Sequence, residues 1–318
     1  MDFSNTEYTP ICKKCIFCEK SEAEFDNDNR WTEEHIVPEA LGNESLKLFN
    51  VCKNCNSGLG TYVDNYFVNH MFLKIIRQNL GLKGQSGEVP NAFKEGKDKE
   101  GHRIRVDEKY HPTTVPYIEQ NGDRVRVVAS SKKEAKEMIQ KKLSRRKMPE
   151  NVIQEALDKV DEMETHFSQP EIQYDATVEF NRFFLEALKI AFEYAVYKFG
   201  DNYLKDSRAI EIQEHLKNAI EGKMKKECTE FPGVSLLHER IRESLQSVCK
   251  LNCHMLMLHC HMLMLHPDAE NNLIAEVILF MEPALSFSVL VSNDAKQFYN
   301  SKEALVDIID IKTNKDRV

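Results

Sequence analysis

CIFCEKSEAEFDNDNRWTEEHIVPEALGNESLKLFNVCKNCN, residues 15–56, carries most of the chemistry legible in this chain. It opens on Cys15-Ile-Phe-Cys18 and closes on Cys52-Lys-Asn-Cys55, followed by Asn56. Each CxxC pair offers two thiolates from one tight turn, and two pairs complete a tetrahedral four-cysteine set suited to zinc. The 33 residues between the pairs exceed the roughly 15–20 of a compact zinc ribbon, so the insert must hold structure of its own. Cys12 stands nearby as a further thiol, but the CxxC spacing favours Cys15 and Cys18 as ligands.

The bulk composition agrees with metal rather than disulfides. Nine cysteines form an odd count, and the N-terminal MDFSNTEYTPICKK has no apolar core of an export signal. A length of 318 residues leaves room for two domains, and 42% hydrophobic with 30% charged residues describes an ordinary globular chain. No apolar run reaches the roughly 18–20 residues that span a bilayer. A cytoplasmic protein without a membrane partner is therefore expected. The net charge of −8 argues against a broad phosphate-coating surface. Lys141, Lys142, Arg145, Arg146 and Lys147 read as a solvated helix end.

Beyond the cysteines, Tyr62, Val63, Tyr66, Phe67, His70, Met71 and Ile75 recur at helical spacing, predicting a helix from Leu59 to near Gly81. Residues 82–130 read as strands and loops, with a hairpin turning at Asn121-Gly122. Ser130 or Ser131 caps a helix over 132–145. Further helices are expected over 149–165, 178–198, 207–223 and 235–248. The stretch 178–198 is apolar on most faces and stops at Gly200, which puts it at the centre of the core. Residues 251–266, 273–281 and 285–292 read as strands, and 301–310 as a closing helix. The septet CHMLMLH occurs twice, at 253–259 and 260–266. Strand alternation would scatter its histidines over two faces, so a core role is favoured over a second metal site, with one copy in the sheet.

Within the insert lies Thr32-Glu-Glu-His-Ile-Val-Pro38. The string CIFC…EEHIVPEALGN…NVCKNCNSGLG resembles the HNH endonucleases, in particular the group whose ββα-metal motif is built on a CxxC/CxxC zinc site. The resemblance covers about residues 12–67. It implies a metal-dependent endonuclease that hydrolyses phosphodiester bonds in nucleic acid, with DNA the favoured substrate. His35 would be the general base, a role suited to an imidazole titrating near neutrality. Glu34 and Asn56 would hold a catalytic Mg2+ or Mn2+ through oxygen ligands, apart from the structural zinc at Cys15, Cys18, Cys52 and Cys55. The family's orienting Asn would fall at position 47, which here is Lys. Asn50 and Asn43 are the candidates to replace it, and Asn50 is preferred. Asp64 either shares the helix face of Asn56 or is a charge placed by the helix dipole.

The expected architecture is α+β: an N-terminal treble-clef, ββα-metal zinc domain over residues 1–80, then a mainly helical region with a C-terminal antiparallel β-meander over 81–318. The role of that second region is open, including a protein partner or a second copy of the chain. The competing reading is a catalytically inactive treble-clef module that binds nucleic acid or protein.

Overall fold

The computed structural model describes residues 14–26, 28–84, 86–121, 124–129, 131–164, 171–224, 231–237, 260–298 and 303–311. The chain divides into two units, Met1–Pro90 with Val178–Val318, and Asn91–Thr177. The expected α+β architecture is present: a ββα zinc-type module, a mainly helical middle and a C-terminal antiparallel sheet.

The module begins with the Cys15–Cys18 turn, which reverses through Glu19 at φ 59° and bridges Lys14 to Ser21. Strands β1 (Trp31–His35) and β2 (Lys47–Cys52) pair antiparallel, with Glu34 opposite Leu48 and His35 opposite Lys47. The pairing slips between Thr32 and Glu34. Helix α1 (Lys53–Leu59) starts directly from β2 and runs through a π-helical turn (Gly60–Asp64) into α2 (Asn65–Asn69). Helical structure therefore begins six residues before the expected Leu59. It breaks at His70, whose ψ of 144° is extended and whose side chain caps α3 (Met71–Leu80). Gly81, at φ 68°, ends that helix where the sequence predicts.

In the second unit, β3 (Glu95–Lys97), β4 (Arg103–Val106) and β5 (Pro112–Thr114) form a small antiparallel sheet. The hairpin β6 (Tyr117–Asn121) and β7 (Arg124–Val128) follows, with its turn residues 122–123 outside the described set. Helix α4 (Lys132–Arg145) takes Ser131 as its N-cap, accepting from Glu134 N at 3.2 Å, and α5 (Glu150–Glu162) comes next. Ser130 lies outside the described residues.

The first unit resumes with α6 (Phe180–Phe199), the expected core helix, and α7 (Ser207–Ile220), capped by Asp206. Its sheet is made of β8 (Val234–Leu236), β9 (Cys260–Pro267), β10 (Leu273–Ile278), β11 (Ser286–Ser292) and β12 (Leu305–Asp310), in the order β12-β9-β10-β11-β8. The run β9-β10-β11 is the predicted meander. Two expectations are corrected. The helix over 235–248 opens instead as the end of β8, and residues 238–248 lie outside the described set. The closing helix over 301–310 is strand β12, paired with β9 from Leu305 opposite Leu265 to Asp310 opposite Cys260. The free edge of β9 takes up a segment whose residues alternate, Ile309 inward and Ile308 outward. Tertiary pairing outweighs the local helical pattern there. The second septet forms β9, turning His261, Leu263 and Leu265 inward. The first, 253–259, lies outside the described residues.

One hydrophobic core runs through the whole first unit, from Ile16 and Phe17 of the cysteine turn through Phe192 of α6 to Leu263 and Val289 of the sheet. The ring of Phe17 lies 5.6 Å from that of Phe192. The apolar residues inside CIFC are thus anchors, and the zinc-type module shares its interior with the C-terminal sheet. Among the described residues no helix is long and apolar enough to cross a membrane.

Candidate metal centre and active site

The module's hairpin and helix bring both CxxC pairs to one point. The Sγ atoms of Cys15, Cys18, Cys52 and Cys55 all lie within 4.8 Å of one another, and Cys18 and Cys52 approach to 3.7 Å. Cys52 N donates to Cys15 Sγ at 3.4 Å, a hydrogen bond of the kind that stabilises thiolate. Hydrogen bonds among the sulfurs hold Cys52 and Cys18 below the ordinary thiol range, Cys18 at about 7, and leave Cys15 and Cys55 above it. Four thiols crowded into competition for protons are the donor set that a zinc ion resolves by taking all four as thiolates. The geometry fits a structural zinc.

Strand β1 presents Glu34 and His35 differently. His35, its last residue, is half-buried. Burial, and then the nearby Lys47, push its imidazole below the ordinary histidine value, which favours the neutral, proton-accepting form. Glu34 is 4% exposed and lies against α6, where Lys189 Nζ meets its Oε1 at 2.7 Å. Burial pushes the Glu34 carboxyl up to about 7 against the pull of Lys189. Asn56 on α1 donates its side-chain amide to the carbonyl of Glu33 at 2.8 Å, so it is fastened beside the same strand end.

Three further groups from α6 complete this interior. Lys189, Glu186 and Glu193 are fully buried, and Asp64 reaches Lys189 at 3.6 Å from the π-helical turn. Burial holds Glu186 and Glu193 well above the ordinary carboxyl range. Burial also opposes the charge of Lys189, but Asp64, Glu193 and Glu34 outweigh it and keep the ammonium charged. These α6 residues were missed in the sequence. Their signal was there: Glu186, Lys189 and Glu193 lie on one face of the run Phe183–Val196, which carries no other charged residue.

Asn43 and Asn50 play distinct parts. Asn43 is fully buried; its amide donates to Val37 O and Leu46 O, both at 2.9 Å, and its oxygen accepts from Ser45 N and Leu46 N. It thereby ties together the loop that follows His35. Asn50 is 2% exposed, and its main-chain carbonyl accepts from Ile16 N at 3.1 Å, which joins β2 to the cysteine turn. The loop is also held from the sheet. His261 Nε2 donates to Leu41 O at 3.1 Å while its Nδ1 accepts from Phe280 N at 3.1 Å. Gly42, at φ 98°, sits so close to Ile311 that a Cβ there would lie 2.5 Å from its Cγ2. The buried His261 and the inward leucines of β9 are core, as the alternation predicts.

In the second unit Asp98, Glu100 and His102 bring their ligand atoms within 4.8 Å of one another. His102 stacks on Tyr117 at 4.0 Å and reaches Glu119 at 2.7 Å.

Residues 15–72 match the family model described as HNH endonuclease. The rest of the 318-residue chain is not covered by it. Neither a curated protein nor a solved structure matches the chain.

Proposed function

We propose that this chain is a metal-dependent endonuclease of the HNH type, hydrolysing phosphodiester bonds in nucleic acid, with DNA as the favoured substrate. The observation that carries the reading is the end of β1: half-buried His35 next to Glu34, with Asn56 fastened alongside, all in the ββα element whose Cys52 and Cys55 meet Cys15 and Cys18 of the preceding turn. The match over residues 15–72 supports it.

In this reading His35 takes the proton from the water that attacks the phosphorus. Glu34 and Asn56 would hold Mg2+ or Mn2+, whose charge offsets that building on the phosphate and the leaving 3′-oxygen. Asn56 fits chemically, since its amide is spent on Glu33, which leaves its oxygen as the donor; Glu34, with Oε1 on Lys189, would offer its other carboxylate oxygen. Asn43 would keep the loop after His35 in place, and Asn50 would brace the cysteine turn. Zinc at the four cysteines would stabilise the module without taking part in the reaction.

The alternative is an inactive treble-clef module that binds nucleic acid or protein. It is favoured by one observation, that the Glu34 carboxylate is already engaged by a buried lysine. Purified protein incubated with supercoiled plasmid in Mg2+, Mn2+ or EDTA decides between them. Metal-dependent nicking that falls at least ~10²-fold in His35→Ala, with zinc content unchanged, supports the enzyme. Cleavage equal in His35→Ala and wild type removes His35 from the mechanism, and no cleavage by wild type in any metal leaves the binding module as the better account.

A further inference from the structure

Lys189 lies on α6, outside the matched residues 15–72, yet its ammonium ends at the heart of the proposed site. An ammonium has three donors. One meets Glu34 Oε1 at 2.7 Å, one meets the main-chain carbonyl of His35 at 2.9 Å, and Glu193 Oε2 lies at 3.3 Å. The two shortest contacts therefore go to consecutive residues of one strand end. A lysine serving only to neutralise carboxylates would have no need of the His35 carbonyl. A side chain that is 0% exposed also has little freedom to release either contact.

Resting on the reading of Glu34 and His35 as active-site residues, we infer that Lys189 is a positioning residue. By gripping the Glu34 carboxylate and the His35 carbonyl together, it sets the direction in which both side chains leave β1. The geometry explains how a short two-stranded hairpin keeps a catalytic strand end in place. Beyond His35 the hairpin contributes one more main-chain bond, Ile36 N to Leu46 O at 3.2 Å. The grip on the other side comes from a helix 154 residues away in sequence. Lys189 does not itself touch the substrate in this account.

The test uses the full-length, zinc-loaded protein carrying Lys189→Met, in the wild-type background and in Glu186→Gln/Glu193→Gln. The second background removes buried carboxylates that the lost ammonium would leave uncompensated, in case the single variant fails to fold. Two measurements are made well below the melting temperature. Amide hydrogen exchange over residues 34–37 should speed up at least about tenfold, with α6 and β9–β11 still protected. In plasmid cleavage kcat should fall at least about tenfold and the half-saturating Mn2+ concentration should rise, while KM for plasmid changes less than about twofold. In a Glu34→Gln background the Mn2+ effect of Lys189→Met should vanish, because it acts through Glu34. Unchanged exchange at 34–37 overturns the proposal, as does faster exchange with kcat intact. If wild-type protein cleaves nothing, the endonuclease reading falls on its own, and the exchange measurement still judges the grip of Lys189 on β1.

Discussion

The two units of this chain are built on opposite principles. In the first, α6 alone buries thirteen residues between Phe183 and Val196, including Glu186, Lys189 and Glu193. In Asn91–Thr177 the buried apolar side chains among the described residues are Ile104, Val106, Ala135 and Val160. That unit is dressed with exposed ion pairs such as Lys136–Asp161 and Arg103–Glu95. The first unit can hold ionisable groups in its interior because a dense apolar shell surrounds them and Lys189 is paired with Glu34, Asp64 and Glu193. The second has little interior to hold anything in. The proposed site would rely on that shell to keep its residues in place, and four measurements probe the difference.

The largest effect is expected at the metal. Cys52→Ala should drop zinc from about one ion per chain to none. Because structural zinc supplies on the order of 10–16 kcal/mol of apparent binding energy to small zinc modules, the variant should also be insoluble or unfolded. Full zinc occupancy measured by elemental analysis in that variant would sink the four-cysteine assignment. Next comes the core itself. Phe192→Ala, which removes the ring against Phe17 and Tyr203, should cost ~3–5 kcal/mol in urea denaturation. Val160→Ala in the second unit should cost about 1 kcal/mol, and equal costs would erase the contrast.

The third measurement concerns His261. Its Nδ1 accepts from Phe280 N–H, so the buried ring must stay neutral, and burial lowers its pKa to about 4. The unfolded chain binds a proton near 6.5, which the folded ring refuses until about 4. Stability is therefore fully present above about pH 6.5 and falls as pH drops towards 4, by about 3 kcal/mol. His261→Gln should flatten that part of the profile in urea midpoints taken between pH 7 and 4.5; an unaltered slope would assign the acid sensitivity elsewhere. The smallest effect is Lys136→Ala, which breaks the exposed pair with Asp161 and should cost 0–1 kcal/mol, within roughly the error of the method.

Much of this architecture could be read locally. The cysteine spacing announced its cluster, Ser131 announced α4, and the apolar run before Gly200 announced α6. Such signals are written within a few turns of chain. The closing strand β12 was not legible, because it is a strand only by virtue of the edge of β9. The engagement of Glu34 was hidden for a similar reason. From sequence it is one of two adjacent acids, and nothing near it says that Lys189 will cover it. The loop-tying role of Asn43 depends on four hydrogen bonds that only the folded loop defines. Local pattern gives elements; the site is made by partners far apart in sequence.

That distance also has a consequence in time. The strand end is gripped across 154 residues, the cysteine turn is held by Gln213 to Ile16 O across 197, and the loop after His35 is pinned by His261 across 220. Contacts of such separation pay loop-closure entropy before they return any stability, and they form late. On a ribosome adding ~5–20 residues per second, on the order of ten to forty seconds separate the emergence of residue 72 from that of residue 261. Through that interval the nascent chain has all four cysteines and His35, and gains β8, but lacks the His261 and Ile311 that hold the loop. Synthesis of the last third, rather than of the nuclease-like segment, thus clocks the moment at which the proposed site becomes complete.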